Sequence, residues 1–254
     1  MEFDVPRETI LPVEHVDVAL DPAPHPFETA NRAAIEANWA SETAANPALF
    51  DGHVSLLARL GYRDRRLEGV CHTIRFATFL YWRKTRPWPN AEHTFANAIP
   101  VTSDGALVAV RMGQRTSNPG RIYFAAGSFD PPDFPNGKVD VDLNMAREVL
   151  EETGLDIAGL PRDPTYHIWS SEAGTGIFRR FRLPMTAAEG EAAIRAFVAQ
   201  QSDPEIEEPV IIRSAGDLPD GLSPHMRPLI SWHFQNEADR SQQGLAATPA
   251  LPDG

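Results

Sequence analysis

The chemistry-bearing stretch of this chain is Arg147-Glu148-Val149-Leu150-Glu151-Glu152-Thr153-Gly154-Leu155. Coiled as a helix, it sets Glu148, Glu151 and Glu152 at i, i+3 and i+4, on one side of the cylinder. Leu143, Ala146, Val149 and Leu150 then form the opposite stripe, which the spacing predicts to face the core. Gly154 stands where a helix ends in a left-handed cap, and Asp140 and Asp142 stand near the positive end of the dipole. Glu148 and Glu152 are like charges at i, i+4, which destabilises a helix by a few tenths of a kcal/mol. A hard divalent cation such as magnesium, which prefers carboxylate oxygens and substrate phosphate, would offset that cost. A solvated acidic face is the plainer alternative for a bare glutamate cluster.

The order of these residues resembles the second half of the Nudix box, G-x5-E-x7-R-E-U-x-E-E-x-G-U with U aliphatic. Arg147, Glu148, Val149, Glu151, Glu152, Gly154 and Leu155 meet every fixed position of that half. The first half departs from it. Gly127, the candidate opening glycine, lies 20 positions before Arg147 (147 − 127), where the pattern gives 14. The extra residues fit an insertion in Asp130–Gly137, rich in turn formers. Counted back from Arg147, the first glutamate of the pattern falls on Val139, with Asp140 or Asp142 as stand-ins.

The resemblance implies an α/β fold, the Nudix α/β/α sandwich with a mixed sheet, over residues 90–236. An N-terminal α/β extension would occupy residues 1–89 and a disordered tail residues 237–254. It further implies magnesium, with manganese possible, held by the carbonyl of Ala126 or Gly127 together with Glu151 and Glu152. Glu148 would be a further ligand or the base, and Arg147 would orient a glutamate. Glu205 and Glu208 are candidates for an additional ligand or base, with an exposed acidic loop as the alternative. Arg111 and Arg121 are the favoured phosphate-binding arginines, since a guanidinium fork donates two parallel hydrogen bonds; Arg115 reads equally well as a solubilising turn residue. Asn46-Pro47-Ala48-Leu49-Phe50-Asp51-Gly52, after a tryptophan-bearing helix, resembles the N-terminal region of the Nudix subgroup that includes UDP-glucose and UDP-galactose diphosphatases.

Composition narrows the partners. A formal net charge of -12 over 254 residues argues against a nucleic-acid backbone, which needs a basic footprint. The single cysteine, Cys71, forms no intramolecular disulfide and fits a reducing compartment. The N-terminus is charged without an apolar h-region, and the longest apolar run, Phe76 to Trp82, is too short to span a bilayer. A cytoplasmic protein with no membrane partner is expected, and the resemblance adds a possible homodimer. The histidines lack H-x-x-x-H or H-E-x-x-H spacing, and neither a G-x-S-x-G elbow nor a P-loop occurs.

The elements that must position the acids follow from periodicity. A strand is expected around Val13 to Leu20, a helix over Glu28 to Ala45, and strands over His53 to Leu60 and Leu67 to Arg75. Phe76 to Arg83 fits helix or strand. Ala96 to Thr102 and Ala106 to Met112 predict a hairpin around Asp104-Gly105. Beyond the box, strands are expected over Thr165–Ser170, Gly176–Leu183 and Ile206–Arg213, and helices over Thr186–Gln200 and Ser223–Phe234. The expected function is metal-dependent hydrolysis of a nucleoside diphosphate derivative, first a UDP-sugar giving UMP and sugar 1-phosphate. ADP-ribose, NADH or CoA are alternative substrates, and a nucleotide-sugar sensor without turnover is the alternative class.

Overall fold

The structure, a computed structural model, describes the backbone of residues 3–246 and the side chains of residues 3–237. The described residues form two sheets and five α-helices, a mixed α/β fold. The larger sheet runs in the order β12 (Ile206–Ile212), β7 (Leu107–Met112), β6 (Thr94–Val101), β11 (Gly174–Arg182), β10 (Tyr166–Ser171), β2 (Ile10–Val13). Within it β6 and β11 are parallel and the remaining neighbours antiparallel, so the sheet is mixed as expected.

Alternation along the strands makes this sheet the middle layer of a sandwich. Ala96, Ala98, Val108 and Val110 share a core with Met145 and Val149 of α3 (Val141–Thr153) and Ile194 of α4 (Ala187–Val198). Their neighbours Ile99, Val101, Leu107 and Ala109 pack instead against Met226, Leu229 and Ile230 of α5 (Met226–Ala246). Successive strand residues point to opposite faces, so one strand serves both layers. Ile206 and Ile212 would face one side of a regular strand. A register shift between Ile206 and Glu208 turns them into opposite cores.

The smaller sheet runs β1 (Phe3–Asp4), β4 (His53–Arg63), β5 (Arg66–Arg75), β3 (His15–Asp21). The β4–β5 turn is tighter than the gap between the strands expected to end at Leu60 and to begin at Leu67, because Asp64 and Arg65 both adopt positive φ, 48° and 61°. Leu56 and Ile74 pack under Phe27 of α1 (Pro26–Ala45) and Phe79 and Trp82 of α2 (Phe76–Thr85). Thus Phe76 to Arg83, undecided by period, is helical. On the other face Leu57, Leu60, Leu67 and Cys71 join the core that holds α3. Cys71, on β5, is buried, and burial pushes its thiol up to about 12.

Two expectations shift. The strand expected around Val13 to Leu20 divides at Glu14, β2 closing the edge of the large sheet and β3 joining the small one. Residues 237–246, expected as tail, continue α5; residues 247–254 of that expected tail lie outside the described residues. No described helix is long and apolar enough to cross a membrane.

Candidate active site

The β6–β7 hairpin opens the site. Its strands pair at Val101 and Leu107 beside the turn, where Gly105 takes φ +82°, and then diverge. Residues 122–128 fill the divergence: β8 (Ile122–Tyr123) pairs with β7, and β9 (Ala126–Ser128) with β6. Ala126 and Gly127 are thereby fixed inside the sheet, facing α3. Gly127 has no side chain for a steric reason. A Cβ there would lie 2.0 Å from Glu148 Oε1.

The α3 helix meets this loop with its acids. Glu148 is 9% and Glu152 6% exposed, whereas Leu143 and Leu150 are 43% and 48% exposed. The expected core stripe is therefore corrected at its two leucines: Val149 is buried and Ala146 packs against the core as expected, while Val141 and Met145, with Glu148 and Glu152 beside them, take the other inward places. Both stripes have helical spacing. The one facing the 126–128 loop wins because that loop offers polar groups; the Ala126 backbone hydrogen-bonds Glu152. Burial, opposed by the Arg147 charge, lifts the Glu148 carboxyl to about 7. Burial, with Glu148 and Glu205 nearby, raises Glu152 well above the ordinary carboxylate range.

Arg147 ties the group together. Its Nη2 lies 2.7 Å from Glu148 Oε1 and 2.9 Å from Asp133 Oδ2, and its Nη1 lies 3.0 Å from Glu151 Oε2. Burial opposes its charge, yet Asp133, Glu148 and Glu151 hold its pKa above the usual arginine value. Asp133 is fully buried, accepts from Asn144 Nδ2 at 2.8 Å and from the Asp130 N–H, and ends a short 3-10 turn, Pro131–Asp133. It is thus Asp133, and not Asp140 or Asp142, that meets Arg147. Asp140 instead caps α3 by accepting from the Leu143 N–H, and Asp142 pairs with Arg162 and Arg179. Val139, where the count backward fell, donates its backbone N–H to the Val18 carbonyl. The missed signal was the forward count. Asp133 follows Gly127 after five residues, the box interval, so the extra length lies between Asp133 and Arg147.

A cavity of about 750 Å³ spreads from this cluster. Ala126, Gly127, Glu148, Glu152, Glu205 and Arg121 are in its wall. Glu205 stands at the solvent-open rim, its carboxyl raised by partial desolvation and by Glu151 and Asp203. Glu151 is outside the wall, drawn to Arg147. Arg111 and Glu208 are also outside it: they are cross-strand partners and pair at 3.1 Å, with Arg195 also on Glu208. Arg115 is in the wall but pairs with Asp203 at 2.9 Å. Asn97 and His225, not singled out from sequence, are in the wall as well; both Asn97 amide atoms and His225 Nε2 are buried without a hydrogen-bond partner among the described residues.

The residues present suit a hard cation. Glu152 Oε2 is buried without a partner among the described residues, next to a second carboxylate and a glycine cradle, an all-oxygen donor set. Among the described residues no three His, Cys, Asp or Glu groups are already gathered into a metal site. Arg147 accounts for that, since it holds Glu148 and Glu151 to itself.

No protein-family model matches the chain, and no curated protein matches it. Solved structures with a similar arrangement include a MutT protein from Methanosarcina mazei, 16% identical, covering 57% of this chain and 94% of that one with a TM-score of 0.39. The Nudix domain of NrtR from Shewanella oneidensis, in a complex with ADP ribose, is 10% identical over 63% of this chain and 97% of that one, TM-score 0.38. A Nudix hydrolase from Nitrosomonas europaea is 16% identical over 48% and 72%, TM-score 0.31. Likenesses this distant fix neither family nor activity, and the reading of the site rests on the residues of this chain.

Proposed function

We propose that the protein is a metal-dependent hydrolase of the Nudix type that cleaves the diphosphate linkage of a nucleoside diphosphate derivative, with a UDP-sugar as the first substrate to test. The observation that supports it most directly is the pair of buried carboxylates, Glu148 and Glu152, set against Ala126–Gly127 at one side of a large cavity. The Arg147–Asp133 tie agrees with the box resemblance. For the UDP-sugar reading, Ala48, Leu49 and Phe50 of the N-P-x-L-F-D-G segment are in the wall of the same cavity, Phe50 with 83% of its surface exposed for stacking.

Glu152, through its unpartnered Oε2, and the backbone at Ala126–Gly127 would hold magnesium or manganese, with Glu151 and Glu205 within the same electrostatic neighbourhood. A divalent cation there supplies charge neutralisation on the diphosphate oxygens and a lowered pKa for bound water. Glu148, oriented by Arg147, is the group we assign to accept the proton of the attacking water. Arg121, in the cavity wall and with no carboxylate in ion-pair contact among the described residues, is the group we assign to donate to a phosphate oxygen.

The test is product release from UDP-glucose, UDP-galactose, ADP-ribose, NADH and CoA, each with magnesium and with EDTA. Cleavage of one compound that needs the metal and falls by at least about 100-fold in Glu152→Gln is the expected result. Tight binding of a panel compound without turnover would overturn it in favour of a sensor.

A further inference from the structure

The cavity has a cationic side that the acids do not touch. Arg83, in the last turn of α2, and Arg86, the residue that caps it, are both in the wall, beside Phe76 and Phe79 of the same helix. Arg83 donates to Asn118 Oδ1 at 3.3 Å and to the Ser117 carbonyl at 3.4 Å; Arg86 donates to the Ala173 carbonyl at 3.3 Å and lies 5.7 Å from the Trp82 ring. Neither has a carboxylate in ion-pair contact among the described residues. Anions are not scarce, because Asp and Glu number 35 against 23 Lys and Arg.

Two like charges held side by side, one of them largely withdrawn from water, are unfavourable without a counter-charge. The strain registers on the surrounding groups. Burial and the Arg86 charge lower the Arg83 pKa, and burial together with both arginines brings His93, in the same wall, down to about 3. Glu42 opposes the lowering at Arg83 only in part, and both arginines line the same cavity as Glu148 and Glu152. A phosphoryl group matches a guanidinium fork in charge and in bidentate geometry.

We propose that Arg83 and Arg86 form an anion subsite that takes the phosphoryl group of the substrate that is not attacked. The N-terminal region then supplies half of the diphosphate clamp, through the end of α2. The word substrate rests on the hydrolase reading; anion binding by the two arginines does not.

The probe is inorganic pyrophosphate, titrated calorimetrically into the full chain in EDTA at low ionic strength, where Coulombic contacts are least screened. Wild-type protein should bind it. Arg83→Gln/Arg86→Gln should weaken binding by about 10-fold or more, which is about 1.4 kcal/mol, and Glu152→Gln should bind equally or more tightly. Arg83→Lys/Arg86→Lys, which keeps the charge, should recover part of the affinity, and Arg86→Gln alone, at an exposed position, should weaken binding in a chain that folds normally. In turnover the double Gln variant should raise KM about 10-fold with kcat nearly unchanged, as expected for binding shared by ground and transition states. A flat wild-type titration, or equal affinity in the double Gln variant, overturns the subsite. Magnesium-dependent cleavage lost in Glu152→Gln beside such a result would leave the hydrolase standing. Pyrophosphate binding that depends on the two arginines, with no compound cleaved, would sink the hydrolase and keep the subsite.

Discussion

At the scale of single residues, the site is a contest over charge. Glu148 and Glu152 are buried within reach of one another, and Arg147 is close enough to neutralise Glu148 but leaves Glu152 Oε2 bare. Glu152→Gln removes one of two buried like charges. It should therefore raise the stability of the metal-free protein at pH 8 by on the order of 1 kcal/mol while turnover falls by at least about 100-fold. Thermal melts in EDTA check the first half of that statement. Gly127→Ala acts on the same pair by volume. Its Cβ would overlap the Glu148 carboxylate, the mobile end of a flexible side chain, so the carboxylate gives way rather than the fold. Turnover should fall about 100-fold or more with stability changed by less than about 1 kcal/mol. Unchanged kcat in that variant would remove Glu148 from the mechanism.

At the scale of elements, helix ends set how the chain answers to acid. The α1 helix is capped by His25, whose Nδ1 accepts from the Phe27 N–H at 3.0 Å while Nε2 lies 3.2 Å from the Leu57 carbonyl. That pairing requires a neutral ring with its proton on Nε2. Burial, with a smaller push from His72, lowers its pKa to about 4, although the Leu57 bond opposes the shift. Between pH 6.5 and about 4 the unfolded chain binds a proton here and the folded chain does not, so stability falls as pH falls. The loss at this residue amounts to up to about 3 kcal/mol. His225 and His233, both brought to about 4 first of all by burial, add to it in the same direction. His25→Asn keeps a capping acceptor and removes one titration, so its melting temperature should vary less steeply over that window. An unchanged slope would assign the acid response to the other histidines.

At the scale of the whole molecule, the 1–89 and 90–236 segments share one interior. Leu57, Leu60, Leu67 and Cys71 belong to the core that contains Phe129, Phe134, Met145 and Val149, and β2 covers the edge of β10. Arg7 adds a polar tie, pairing with the nearly buried Glu92, which also accepts from Thr175. A chain reduced to residues 90–246 uncovers that core and leaves β10 as an open edge. It should lack a cooperative thermal transition and expose hydrophobic surface to dye. A sharp melt in the reduced chain would show that the extension is dispensable for folding.

The sequence by itself determined most of the local structure and pointed to two of the acids that the fold brings to the cavity, Glu148 and Glu152. Apolar period and turn residues set the helices at α1, α3 and α4 and the strands at β4 to β7 and β10 to β12, because local propensity and burial agree there. The order Arg147 to Leu155 singled out Glu148 and Glu152, and Gly154 indeed adopts φ +73°. Tertiary structure alone decided which side of α3 is inward, since a carboxylate stripe and a leucine stripe have equal helical spacing and only the 126–128 loop distinguishes them. It also decided that Asp133 meets Arg147, across an insertion whose path no linear count follows, and that Arg111 and Glu208 pair across strands. Arg83 and Arg86 escaped notice for the same reason. They lie more than 50 residues before Arg147 (147 − 86 and 147 − 83), and only the packing of the small sheet against the large one brings α2 to the cavity.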